Sequence, residues 1–258
     1  MQVPEILERI RRGEILFNSQ VGDINPEAVY AFLERDNPLV ADELRQGALE
    51  LTTVLENLEL VRQGHLTLAG NLVFGKLPQK YTPSFYVDCV HFDGNEVGVA
   101  SFIAKATIKG SLLQQYEGSM HFIRHNLKRI PLAEGFNAQT TLEIDERVVA
   151  ELLVNALVHR DYHIQSSVKV FVFHDRLEII SPGKLTNSLT VDKIKAGLAI
   201  HRNPVLSSIC KSILPYSGYG SGIKRALHLK PDLELVDDRE KEEFRCVIPR
   251  RSLHSPAT

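Results

Sequence analysis

The sequence predicts an α/β protein of the α+β sandwich kind, with a mixed sheet covered by helices mainly on one face. Helical and strand patterns intermix along the chain instead of separating into blocks. Two β-branched and aromatic runs, 168–173 and 177–180, read as buried strands. They lie between two polar, helix-borne motifs, one from Glu151 to Tyr162 and one from Gly218 to Gly222. The chain has 258 residues, 43% hydrophobic and 24% charged, which is the make-up of an ordinary soluble globular domain with at most an appendage.

Taken in order, residues 3–12 read as a short amphipathic helix. Asn25-Pro26 opens a second helix to about Leu33, and Asp36-Asn37-Pro38 interrupts it. Residues 41–58 read as a third helix, with Leu44, Ala48, Leu51, Val54 and Leu55 on one face. Residues 60–68 read as a hairpin turning at Gly64. Helices followed by a hairpin suggest a winged-helix-like arm over residues 1–64; a plain helical arm is an equal alternative. The third helix is not rich in Arg or Lys, which argues against direct DNA reading. The body then spans 65–250, and residues 251–258 form a disordered tail.

The run from Gly70 to Leu77 nearly matches the phosphate loop GxxxxGK[ST]. Leu77 replaces the hydroxyl that holds Mg²⁺, and no strand directly precedes the run. Its expected role is a small turn that packs Leu72, Val73 and Phe74 inward. Strands are expected at 85–92 and 104–108, and a long helix from Ser111 to about Leu127. A strand at 139–144 leads into the central helix. Asn203-Pro204 starts a helix through Ile213, either as cap and first turn or with Arg202 and Asn203 reaching a phosphate. Residues 233–236 and 244–248 close the chain as a hairpin around an acidic turn.

On the central helix Glu151, Asn155 and His159 lie four apart and form one polar stripe. Val149, Leu152, Leu153 and Ala156 face the core, and Asp145 is the expected N-cap. A carboxylate and a carboxamide flanked by apolar residues are costly to bury unless paired. A solvent-wetted helix edge is the alternative for these two residues. Gly218-Tyr219-Gly220-Ser221-Gly222 precedes a helix expected at 223–227. Alternating glycines there let backbone N–H groups approach an anion at the helix N-terminus.

Together these motifs resemble the Bergerat-type (GHKL) ATPases. More closely, the chain resembles the family labelled ATP-dependent DNA helicase RecG-related, also called transcriptional regulators. The residues that carry the resemblance are Asn155 through Tyr162, Ser181-Pro182-Gly183-Lys184-Leu185, Arg202-Asn203-Pro204 and Gly218 through Ile223, within a span of about 65–250. The resemblance implies a GHKL-like two-layer sandwich binding ATP and Mg²⁺. It makes Glu151 the general base and Asn155 the metal ligand. It makes Asn155, Gly183, Lys184, Arg202, Asn203, Gly218, Gly220, Ser221 and Gly222 the nucleotide-binding set. His159, Arg160, Asp161 and Ser181 would support it, with Arg160 and Asp161 paired at the helix end. The superfamily's Asp-x-Gly-x-Gly is here Ser181-Pro182-Gly183-Lys184-Leu185, so adenine loses its charged partner and turnover is expected to be slow or absent. Helicase motor motifs are missing, so unwinding is not expected.

Family members usually carry an upstream Schlafen-type domain, through which DNA or RNA contact is expected. The chain begins after where that domain would end, as a truncated piece or a short member. Two other readings remain open. One is a degenerate fold serving as a dimerisation or interaction scaffold, hence a homo-oligomer. The other is a nucleic-acid-binding regulator using residues 183–230, where eight basic residues against the single acid Asp192 give a local charge of +7. The whole chain carries only -2, so contact with nucleic acid is expected to be weak. Cys89, Cys210 and Cys246 stand singly, which suits a reducing cytosol. No apolar run approaches the ~20 residues that span a bilayer, and the N-terminus has no signal-peptide core.

Overall fold

A computed structural model describes residues 15–97, 101–131, 138–186, 188–218 and 220–250. The helix expected at 3–12 and the tail from 251 lie outside the described residues. The architecture is α+β, built on a six-stranded mixed sheet. Its strands are β3 (Val87–Phe92), β4 (Phe102–Ile108), β7 (Val168–Val172), β8 (Arg176–Pro182), β9 (Glu234–Asp238) and β10 (Glu243–Pro249). They run in the order β4-β3-β7-β8-β10-β9. Only the β3–β7 pair is parallel; Val87 sits opposite Val168 and Cys89 opposite Val170. The crossover between these two strands carries helices α5 (Leu112–Asn126) and α6 (Glu146–His159).

The centre of the molecule is α6. Asp145 caps it by accepting from the Arg147 backbone N–H at 2.8 Å, and Glu146 places a negative charge in its first turn. Nine of its residues are buried, from Val148 to Val158, so it is covered almost all round. It packs against α5, strand β8, α8 (Pro204–Ile213) and α9 (Gly222–Leu229). The sheet's inward row includes Val87, Cys89, Val168, Val170, Leu177, Ile179 and Ile248, all at 1% exposure or less, which excludes water from one face.

The N-terminal helices belong to the same hydrophobic cluster. They are α1 (Pro26–Asp36), α2 (Pro38–Arg45), α3 (Leu51–Asn57) and α4 (Leu68–Phe74). Both α1 and α4 touch α8. The short hairpin β1 (Val61–Arg62) and β2 (His65–Leu66) turns at Gln63 and Gly64, both at positive φ, as a two-residue hairpin loop requires.

Three expectations are corrected. The helix expected at 41–58 is two helices, because Gly47 at φ +70° reverses the chain between α2 and α3. The strand expected to lead straight into α6 is the short β6 (Thr140–Leu142). It pairs only with β5 (Arg129–Pro131), apart from the main sheet. The loop-like run from Gly70 is not a turn but most of α4, capped by Thr67. Leu72, Val73 and Phe74 are buried as expected. A Cβ on Gly70 would lie 2.0 Å from the Leu60 carbonyl, so that glycine serves close packing of α4 on the hairpin.

Candidate functional site

The polar stripe of α6 is not wetted by solvent. Glu151 is 8% exposed and faces the N-terminus of α9. Asn155 donates from Nδ2 to the Glu151 carbonyl at 2.8 Å and to Glu151 Oε1 at 3.4 Å. The amide's donor end is thereby committed to the helix, and its oxygen is the atom left for a ligand.

The glycine-rich stretch meets α6 at this point. A Cβ on Gly222 would sit 1.6 Å from Glu151 Oε1, so only glycine lets the carboxylate lie there. Gly220 has φ +70°, and a Cβ on it would come 2.5 Å from the Gly197 carbonyl, which lets the segment after α7 (Val191–Lys195) lie on the loop. Arg225, three residues past Gly222, pairs with Glu151 Oε2 at 2.7 Å. It also bonds Ser221 Oγ at 2.6 Å and Ser217 Oγ at 3.4 Å. Ser221, expected to bind nucleotide, therefore gives its hydroxyl to Arg225. Tyr219 lies outside the described residues.

Other motif residues form a staple. Arg202 pairs with Asp161 at 3.3 Å and donates to the Lys184 carbonyl at 2.7 Å. Asn203 donates from Nδ2 to the carbonyls of Val158 at 2.9 Å and Arg160 at 3.0 Å. It makes no side-chain cap to α8, contrary to one expectation; it closes the C-terminal end of α6 instead. Arg160 and Asp161 do not pair with each other. Arg160 is buried, donates to the Ile164 and Ser166 carbonyls, and stacks on Phe85 and Tyr162. Gly183, at φ +103°, leaves no room for a Cβ between Arg202 and Asp161. Asn203 and Arg160 are thus turned to backbone carbonyls, Asp161 to Arg202 and Ser221 to Arg225, and none of the four is part of the cavity wall.

One cavity of about 130 Å³ is walled by Glu151, Asn155, His159, Ser181, Gly183, Lys184, Arg202, Gly218, Gly220 and Gly222. Apolar side chains complete it, among them Ile179, Leu185, Leu189, Ile194, Phe244 and Cys246. The volume is below the ~300–1,000 Å³ of drug-sized pockets and near the ~150 Å³ that admits one aromatic ring. Ser181 donates its proton to the Ala156 carbonyl at 3.1 Å, so toward the cavity its oxygen can only accept. Thr186 Oγ1, also in the wall, is buried with no hydrogen-bond partner. A buried hydroxyl left unpaired is unfavourable unless a ligand satisfies it.

His159 lies where cavity and staple join. Burial, helped by His201 and Arg202, pushes its imidazole down to about 4, so it is neutral at pH 7. Burial pushes the Tyr216 phenol up to about 12. Tyr216 Oη and His159 Nε2 lie 2.8 Å apart, and His201 Nδ1 is 3.3 Å from the same oxygen. Which of Tyr216 and His159 donates is set by which imidazole nitrogen carries the proton.

Four of the eight basic residues of 183–230 are ion-paired within the molecule. Lys184 pairs with Glu242, Arg202 with Asp161, Arg225 with Glu151 and Lys230 with Asp232. Among the described residues no group of three or more His, Cys, Asp or Glu is placed to hold a metal ion. The three cysteines are free and buried. No helix among the described residues is long and apolar enough to cross a membrane.

The sequence did not single out Arg225, Tyr216 or Thr186. Arg225 had a signal, since it stands one helical turn from Ser221 and shares its face. Thr186 and Tyr216 had none, because only the fold brings their loops to the wall.

The fold is that of a solved structure, the DIP2311 protein from Corynebacterium diphtheriae. The likeness has a TM-score of 0.68 at 19% identity over 94% of this chain. This chain spans about half of that protein, 48% of its length. Residues 165–242 match the family model described as "Putative ATP-dependent DNA helicase recG C-terminal". The match supports the RecG-related ATPase-domain family and an ATP-binding module. It begins after Glu151 and Asn155, so it covers the glycine-rich stretch, Ser181 and Arg202 but not the α6 stripe. No curated protein matches the chain.

Proposed function

We propose that the cavity binds the base of ATP and that the glycine loop and α6 stripe hold its phosphates. The carrying observation is that Asn155, Ser181 and the glycines Gly218, Gly220 and Gly222, from three separate stretches, wall one cavity. Its size admits one ring of a purine, with the rest of the base, the sugar and the phosphates toward the open mouth. Ser181 accepts, as an adenine amino group requires, and Thr186 Oγ1 awaits a partner. Backbone N–H groups of a glycine loop before a helix favour phosphate. Mg²⁺ fits a site with one protein oxygen, that of Asn155, because it completes its shell with phosphate oxygens and water. When bound it would neutralise phosphate charge.

Hydrolysis is slow in this reading. Glu151 would take one proton from a water whose oxygen bonds the terminal phosphorus, as the bond to the bridging oxygen breaks and ADP leaves. Its carboxylate is held by Arg225, and Ser181 gives adenine a neutral partner, worth roughly tenfold to a hundredfold less affinity than a charged one. The chain would serve as the nucleotide-sensing part of a DNA-associated cytoplasmic regulator; the family match supports the ATP-binding part of that role. Half of its local basic residues are already paired, so nucleic-acid contact would come from elsewhere.

The test is calorimetric titration with MgATP beside phosphate release. Binding in the high-micromolar to millimolar range with slow release is expected, and Asn155→Ala should weaken it about tenfold. No heat up to millimolar ATP, or identical affinity in Asn155→Ala, would overturn the assignment.

A further inference from the structure

We propose that Arg225 is a latch, holding Glu151 silent without nucleotide and exchanging the carboxylate for the terminal phosphate of a nucleoside triphosphate. The inference rests on the nucleotide reading of the site and adds how that site tells triphosphate from diphosphate.

Three observations carry it. First, the proposed base is engaged on both oxygens. Arg225 holds Oε2 at 2.7 Å, and Asn155 approaches Oε1 at 3.4 Å. A carboxylate donating its lone pairs to a guanidinium is a poor proton acceptor for water. Second, the guanidinium is not buried with its partner. The Arg225 side chain is 51% exposed while that of Glu151 is 10% exposed. A half-exposed arginine can change rotamer once its bonds to Glu151, Ser217 and Ser221 are exchanged for others. Third, its remaining bonds go to Ser217 and Ser221, the hydroxyls that flank the glycine loop. A phosphate cradled by the loop's N–H groups would therefore arrive within the reach of this side chain.

The two cavities of this region give the exchange room. Glu151 lines both the smaller cavity and a second one of about 400 Å³. Arg147, Arg225 and His228 also line the second cavity, with Arg147 paired to Asp145 and Arg225 to Glu151. Movement of Arg225 onto a terminal phosphate would leave Glu151 facing that phosphate with its lone pairs released. Arginine suits the exchange because its planar fork binds carboxylate and phosphate by the same bidentate geometry. A diphosphate ends short of the fork, leaving the latch shut. Arg225 is thus a positioning residue for the base and a reader of phosphate number.

The experiment is titration calorimetry of MgADP and a magnesium complex of a non-hydrolysable ATP analogue. The proteins are the parent chain, Glu151→Gln, Arg225→Met and Arg225→Lys, each first checked by thermal denaturation. Glu151→Gln removes the carboxylate that competes for the guanidinium. It should bind the analogue about tenfold tighter than the parent and leave ADP within about twofold, since a charge-assisted bond is worth at least that much. Arg225→Met should abolish the parent's preference for the analogue over ADP, and Arg225→Lys should restore part of it. A purely structural role would move both ligands together, so an unchanged analogue-to-ADP ratio in Glu151→Gln and Arg225→Met overturns the latch while leaving the nucleotide site standing. If Arg225→Met does not fold, the ratio in Glu151→Gln decides alone, rising if the latch exists and unchanged if it does not. No binding of either ligand by any of the proteins overturns the site reading and the latch with it.

Discussion

Two regions of this molecule are built from the same kind of residue and end up opposite in character. The staple joins Asp161, Gly183, Arg202 and Asn203, and its polar atoms meet one another or backbone carbonyls. On the cavity side, Asn155, Ser181 and Thr186 each keep a polar oxygen that the fold does not use as an acceptor. In the sequence both sets look like ligand-binding motifs. The difference is where the hydrogen-bonding capacity goes, which separates a device that holds loops in place from a surface able to hold a ligand.

His159 lies at the join, and its titration should have the largest effect on stability. Its folded pKa, about 4, lies below the unfolded value of about 6.5, so protonation favours the unfolded chain. The contribution is fully present above pH 6.5 and is lost as pH falls toward 4, by about 1.4 kcal/mol per unit and about 3 kcal/mol in all. Denaturant unfolding across that window measures it. His159→Gln should remove the slope; an equal slope in that variant would assign the proton uptake elsewhere.

Next comes Gly183→Ala, which places a Cβ 2.5 Å from the Asp161 Cβ at positive φ. It should cost about 2–3 kcal/mol, read as a lower Tm in scanning calorimetry, with Asp161–Arg202 pairing disturbed. Asn203→Ala should cost about 2 kcal/mol, because it strips donors from two helix-end carbonyls. Its folded form should keep the nucleotide affinity of the parent; a loss of affinity larger than the loss of stability would move Asn203 from the staple to the site. The smallest stability effect, below about 1 kcal/mol, is expected for the half-buried Asn155→Ala. That variant should instead show the weakened MgATP titration, and a reversed pattern would dissolve the contrast between the two regions.

How much was legible follows from the range of each cause. The cap at Asp145, the apolar face of α6, the runs that became β7 and β8, and the hairpin at Gly64 are local, and their residues state them. The split at Gly47 was missed because an apolar periodicity continues across it, and one positive-φ residue overrides that pattern. Strand β6 is shorter than the 139–144 expected, because its pairing with β5 covers only three residues. Asn203 before Pro204 has the local form of a cap. Its actual partners lie at the end of α6, more than forty residues earlier, and no neighbouring residue announces them. The Glu151–Arg225 pair is hidden the same way, since it spans 74 positions.

The parallel pairing of β3 with β7 bears on how the polypeptide can be cut. The span that matches the family model, 165–242, opens just before β7 and stops just short of β10. An expressed fragment with those ends would present β7 with its β3 side bare and β8 without the strand that covers its other side. Val168, Val170 and Val172 would lose the helix layer that shields them, since α5 and α6 lie upstream of the cut. Such a piece offers two open, apolar strand edges to other molecules and should aggregate when produced alone. The unit recognised by kinship is therefore smaller than the unit that folds, and shortening this protein for expression should begin no later than β3.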